Sequence, residues 1–188
     1  MNRLHRYICA SEKWRTKMTG QVLPWALGGV DLGGNLLEVG PGPGITTETL
    51  RTKVERMTAV EIDPTLAASL HSRMANTNVT VLHMDATELP RPSRPFDSAA
   101  CFTMLHHVPS PAAQDALFAR IAAVLKPGGV FVGIDSLPSL RFRLAHLNDT
   151  MTLVDPDGLP ARLTAAGFTD VQVEQTPGRF RFTARAGN

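Results

Sequence analysis

Asn35-Leu36-Leu37-Glu38-Val39-Gly40-Pro41-Gly42-Pro43-Gly44 is the stretch on which the fold turns. Five mostly apolar residues run straight into a glycine-proline loop, the pattern of a strand buried on both faces followed by a tight turn. Glycines there let the chain turn sharply and bring a ligand against bare backbone. The residues after the loop, 45–54, read as a helix whose first N–H groups face any anion held by the loop. A dinucleotide-binding fingerprint would require glycine at 40, 42 and 45; position 45 is Ile, which demotes a nicotinamide-binding fold.

The same alternation continues downstream. Met57-Thr58-Ala59-Val60-Glu61 reads as a second strand, and Asp63-Pro64 as a helix start with Asp63 as cap and Pro64 at the first helical position. That helix carries Leu66, Leu70 and Met74 on one face and is expected to end near residue 76. Val79-Thr80-Val81-Leu82 is a third strand and 96–102 a fourth; 112–125 is a helix stopped by Lys126-Pro127-Gly128-Gly129, and Val130-Phe131-Val132-Gly133-Ile134 is a fifth strand. Strands alternating with helices imply parallel βαβ units in a doubly wound α/β sheet. After a short helix at 158–166 the pattern changes. Residues 171–174 and 180–185 alternate strictly around Thr176-Pro177-Gly178, a hairpin signature that makes the last strand antiparallel to its neighbour.

Upstream, residues 3–18 mix Leu4, Tyr7, Ile8 and Trp14 with arginines and lysines, as in a basic amphipathic helix. We divide the chain into an N-terminal helical segment or lid, 1–34, and a single cofactor-binding domain, 35–188. Its 188 residues suit one α/β domain, which at this length buries roughly 70% of the surface its unfolded chain exposes. Apolar residues make up 43% and charged residues 19%, a globular composition. A net charge of +2 does not ask for nucleic acid or an anionic membrane as partner. The two cysteines make no disulfide framework, and no CxxC or HxxxH spacing suggests a metal. The start of the chain shows no signal-peptide core, and no apolar run approaches the roughly 20 residues of a membrane span. A cytoplasmic, metal-free protein is the expectation.

In an open α/β sheet, ligands sit outside the carboxyl ends of the strands where the winding reverses. Past the second strand stands Glu61, a carboxylate able to accept from the two hydroxyls of a ribose, although it could instead cap a helix or pair with Arg56. Past the third comes His83-Met84-Asp85-Ala86, where Asp85 suits either an adenine amine or a helix cap.

These residues resemble the class I S-adenosylmethionine-dependent methyltransferases. Glu38 to Gly44 resembles their first motif, Glu61 their ribose-binding acid, Asp85-Ala86 their adenine contact, and Leu125-Lys126-Pro127-Gly128-Gly129 the turn before their fifth strand. The resemblance covers about residues 35–185. It implies a Rossmann-like seven-stranded sheet with the last strand reversed. It also implies S-adenosyl-L-methionine as cofactor and S-adenosyl-L-homocysteine as product. The cofactor-binding positions it implies are Glu38, Gly40, Gly42, Gly44, Glu61, Ile62, Asp85, Ala86, Phe102 and Thr103.

Methyl transfer from a sulfonium needs chiefly an acceptor held in line, and a base only when the acceptor must lose a proton. Met104-Leu105-His106-His107-Val108 follows the fourth strand, so His106 and His107 are candidates for base or acceptor-pocket residue; both could equally be packing residues. Asp135, past the fifth strand, is a second candidate. The segment 136–156, with Arg141, Arg143, His146, Asn148 and Asp149, is placed to cover the acceptor or to form a plain surface loop. Tyr7, Trp14 and Trp25 could close over the cofactor.

A small-molecule acceptor is the preferred reading. Residues 37–70 also resemble the ribosomal RNA adenine dimethyltransferases, but Cys101-Phe102-Thr103-Met104 stands where that family carries an Asn-Leu-Pro-Tyr type motif, and the basic surface that RNA favours is lacking. A third reading is a cofactor-binding module without turnover that regulates a partner.

Overall fold

The computed structural model describes residues 11–139 and 150–187. Seven strands form one sheet in the order β3-β2-β1-β4-β5-β7-β6. They are β1 (Asn35–Val39), β2 (Arg56–Glu61), β3 (Val79–His83), β4 (Phe96–Phe102), β5 (Leu125–Ser136), β6 (Phe168–Thr176) and β7 (Arg179–Ala186). The first five pair in parallel, whereas β7 lies antiparallel between β5 and β6. The doubly wound sheet with a reversed last strand is therefore as expected.

The helices are α1 (Glu12–Lys17), α2 (Leu23–Ala26), α3 (Ile45–Leu50), α4 (Pro64–Arg73), α5 (Pro111–Val124) and α6 (Leu159–Ala165). Asp63 caps α4 by accepting from Thr65 N and Leu66 N at 2.9 and 3.0 Å, with Pro64 at the first position. Two boundaries differ from the sequence reading. Of the helix expected at 3–18, residues 3–10 lie outside the described residues; Glu12–Lys17 is helical, and a π-turn (Met18–Val22) carries it on past the expected end into α2. Of its buried face, Met18 stands at the expected end and Val22, Leu23 and Ala26 lie beyond it. Residues 126–129 are the opening of a long β5 rather than a separate turn: β4 pairs Phe96 with Leu125 and Ser98 with Val130, and the bulge between absorbs Lys126 to Gly129.

β1 is buried at all five positions because helices cover both of its faces. Leu37, Val39 and Cys101 face α5 and α6 in a core that includes Phe118, Phe131, Phe168 and Phe182. Leu36, Ala100 and Phe102 face the other way, against Met18, Val22, Leu23, Ile45 and Leu50. At the amino end of β4, Asp97 accepts from Gly34 N and Asn35 N, both at 2.9 Å, and pairs with Lys126 at 2.7 Å. Those partners, Lys126 first, hold its carboxyl below the usual range. No helix among the described residues is long and apolar enough to cross a membrane.

The order of strands reverses between β1 and β4. The crevice outside their carboxyl ends is where this architecture leaves room for a ligand.

Candidate functional site

A cleft of about 420 Å³ opens at that crevice. Its floor is the Gly40–Pro43 loop after β1, with Ile45 and Thr46 at the start of α3; Glu61, Ile62 and Asp63 come from the end of β2. Phe102, Thr103, Met104 and His107 come from the end of β4, and Trp14 and Met18 close it from the N-terminal helix.

The glycines let the backbone of the loop take left-handed φ angles. Gly44, at φ 80°, ends the loop as the cap residue of α3; a Cβ there would stand 2.4 Å from Leu70 Cδ1. Gly42, at φ 56°, has nothing within 4 Å of the Cβ position, so its bare face looks onto open space. Its N–H donates to Glu61 Oε2 at 2.9 Å, and Glu61 Oε1 accepts from Asp63 N at 3.0 Å. Glu61 is thus neither a helix cap nor a partner of Arg56; two main-chain donors fix a carboxylate that is 5% exposed in the cleft wall. Each carboxylate oxygen has a lone pair left for a ligand hydroxyl.

Glu38 lies deeper. It is 1% exposed and accepts from Thr46 Oγ1 and Thr47 Oγ1, both at 2.5 Å. Burial pushes its carboxyl up to about 7; the two hydroxyls pull it down and the nearby Glu61 adds a further push upward. The charged side chains among the described lining residues, Glu61 and Asp63, are both acidic, set among apolar walls. That chemistry suits a ligand with a positive charge and a nucleoside-like body. Thr103 continues the β4 edge by donating from its N to Ile134 O at 2.9 Å, then turns with φ 53° where it lines the cleft.

The histidines separate. His107 lines the cleft, while His106 points away and is 1% exposed. His106 Nδ1 lies 2.6 Å from Asp135 Oδ1, and its backbone N donates to Asp135 Oδ2 at 3.0 Å. Asp135, itself 1% exposed, is therefore occupied and turned inward. Asp85 and Ala86 follow β3 and are not among the residues that line the cleft, and Asp85 Oδ1 accepts from Thr87 N and Oγ1 at 2.8 Å as cap of the turn Ala86–Glu88.

Trp14 meets the cleft, but Trp25 does not: it stacks under Arg181 and donates to Glu174 Oε1 on the hairpin. Tyr7 and Arg141, Arg143, His146, Asn148 and Asp149 lie outside the described residues. Sequence reasoning missed Thr46, Thr47 and Glu48. Glu48 pairs with Arg15 of α1 at 2.5 Å and with Arg73 of α4 at 2.7 Å, and Arg73 also donates to Pro43 O. One carboxylate thereby ties the N-terminal helix to the glycine loop. Arg15 and Arg73 are too distant from Glu48 in sequence to have been linked to it. Among the described residues, no group of three or more His, Cys, Asp or Glu gathers as a metal site.

Comparison with known proteins adds the family. Residues 36–129, half of the chain, match the model of a methyltransferase domain. An uncharacterized methyltransferase of Mycobacterium tuberculosis is 32% identical over 113 residues, 60% of this chain and 56% of that protein. A ubiquinone biosynthesis O-methyltransferase of Xylella fastidiosa is 36% identical over 118 residues, 60% of this chain and 46% of that one. The chain spans about half the length of these curated relatives. Among solved structures, the DhpI–SAH complex superposes with a TM-score of 0.72 at 24% identity, over 97% of this chain and 93% of that one, a likeness of fold.

Proposed function

The chain belongs to the class I S-adenosylmethionine-dependent methyltransferases, and from that premise we propose that it binds S-adenosylmethionine in the cleft between β1 and β4 and methylates a small-molecule acceptor. The observation that carries the reading is the convergence on one cleft of the Gly40–Pro43 loop, the fixed Glu61 carboxylate and Thr103 at the end of β4. When bound, the cofactor supplies an electrophilic methyl group on a sulfonium.

The chain's own residues then have distinct tasks. Glu61, already oriented by Gly42 N and Asp63 N, offers its remaining lone pairs to the ribose hydroxyls. Ile62, 64% exposed at the cleft edge, gives the adenine an apolar face. Gly42 allows the amino-acid end to lie against backbone, and the acidic lining offsets the ligand's positive charge. Trp14 and Met18 shed water from the transfer site. His107 stands at the acceptor end beside Met104, where it can hold or take the acceptor's proton. Positioning of this kind supplies roughly 7–11 kcal/mol. The small-molecule reading draws support from the O-methyltransferase of ubiquinone biosynthesis among its relatives.

Isothermal titration with S-adenosylmethionine and S-adenosylhomocysteine, with NAD as control, tests the cofactor. Binding of the first two and none of NAD is the expected result; the reverse overturns the proposal. A screen of hydroxyl, amine and thiol acceptors against an RNA pool then tests the acceptor class. Salt-sensitive methylation of RNA alone would sink the small-molecule reading.

A further inference from the structure

The turn Leu105–His107 after β4 is gripped from several sides. Asp135, at the end of β5, takes His106 by both ring and backbone, at 2.6 and 3.0 Å, and Ser136 N donates to the same carboxylate at 2.6 Å. Gln114 of α5, fully buried, donates from Nε2 to Leu105 O at 3.0 Å and to Thr152 O at 2.9 Å. Thr152 N returns a bond to His106 O at 2.8 Å. A solvated turn has no use for a buried carboxylate and a buried amide; both are costly to bury unless their bonds do something specific. The ring of His106 in turn lies against that of His107, centroids 4.2 Å apart and tilted by 45°. His107 is the one of the two that reaches the cleft.

We propose that Asp135 and His106 form a buried positioning pair that sets the ring of His107 at the acceptor end of the cleft. The pair acts at one remove: neither member is among the residues that line the cleft, and of the three only His107 does. The carboxylate fixes a proton on His106 Nδ1 and with it the plane of that ring, and the ring is the wall against which His107 settles. The proposal rests on the reading of the cleft as a cofactor and acceptor site, and its test separates the two.

The test is side-chain NMR of the isotope-labelled full chain, alone and with S-adenosylmethionine, on wild type and on Asp135→Asn. In wild type, a strongly hydrogen-bonded His106 Nδ1 proton is expected, with cross-peaks between the His107 ring and the bound cofactor. In D135N, the His106 proton signal moves and the His107 cross-peaks are lost, while cofactor affinity stays within about threefold of wild type. Cross-peaks that persist in D135N overturn the proposal. Cross-peaks lost together with a large loss of affinity also overturn it, since Asp135 then merely builds the cofactor site. If wild type binds no cofactor, the functional reading fails, and the ligand-free His107 ring shifts decide the positioning: moved by D135N they support it, unmoved they overturn it. Should D135N not fold, His106→Asn, which keeps a donor for Asp135 but removes the ring, is read in the same way.

Discussion

Glu38 and Glu61 stand at the carboxyl ends of neighbouring parallel strands, and one is sealed while the other is offered. Glu38 is closed off by the hydroxyls of Thr46 and Thr47; Glu61 is held by the N–H groups of Gly42 and Asp63 in the wall of the cleft. The first carboxylate is part of the loop's foundation, and the second lines the cleft.

Glu61→Gln should therefore act on binding. Loss of charge-assisted bonds of about 1.5–3 kcal/mol predicts roughly 10- to 150-fold weaker binding of S-adenosylmethionine. Titration calorimetry measures it, and an unchanged dissociation constant would remove Glu61 from the site.

Glu38→Gln should act on stability and on its pH dependence. The folded value of about 7 lies above the ordinary 4.5, so the folded chain holds this proton more tightly than the unfolded one. The contribution is fully present below pH 4.5 and is lost as pH rises through 7. Its size is on the order of 3 kcal/mol. Urea unfolding between pH 5 and 8, a range set by that shift, should show wild type losing more stability with rising pH than the variant. Parallel curves would contradict the burial argument.

The two glycines of the loop should fail differently. Gly44→Ala places a methyl group 2.4 Å from a fully buried Leu70 at φ 80°, predicting a loss of about 2–4 kcal/mol. Gly42→Ala meets no atom and costs about 1–2 kcal/mol from its left-handed backbone. Its methyl group crowds the cleft instead, and cofactor affinity should fall about tenfold or more. Thermal melts and calorimetry on both variants separate the effects; equal profiles would mean that Gly42 does not approach the ligand.

Glu48→Gln should loosen the N-terminal helix. Arg15, Glu48 and Arg73 are each about one-third exposed, so each pair is worth no more than about 1 kcal/mol. Cofactor affinity should drop by up to about fivefold at low salt, and wild type should lose that advantage as salt is raised. A variant as salt-sensitive as wild type would show that the clamp does not bear on the cleft.

The succession of strands and helices along the chain, the glycine loop, the Asp63-Pro64 helix start and the closing hairpin were legible because each is written locally, in hydrophobic period and turn chemistry. Boundaries were less so. The π-turn at Met18–Val22 and the bulge that absorbs Lys126 to Gly129 arise from packing and pairing with distant segments. Among candidate site residues, His106 and His107 are adjacent in sequence and indistinguishable there, yet one faces Asp135 and the other the cleft. Likewise Asp85 offered two uses, and in the structure its carboxylate caps the following turn.

The amino-acid sequence by itself determined that this chain is a doubly wound α/β domain with a glycine loop and an acidic residue at successive strand ends, since periodicity and turn residues act within a few positions. Only the tertiary structure decided which carboxylate is sealed, which histidine is turned inward, and which helix roofs the cleft. Those choices depend on Thr46 and Thr47, Asp135 and Glu48 meeting their partners through burial and hydrogen bonding, across sequence distances that no local pattern records.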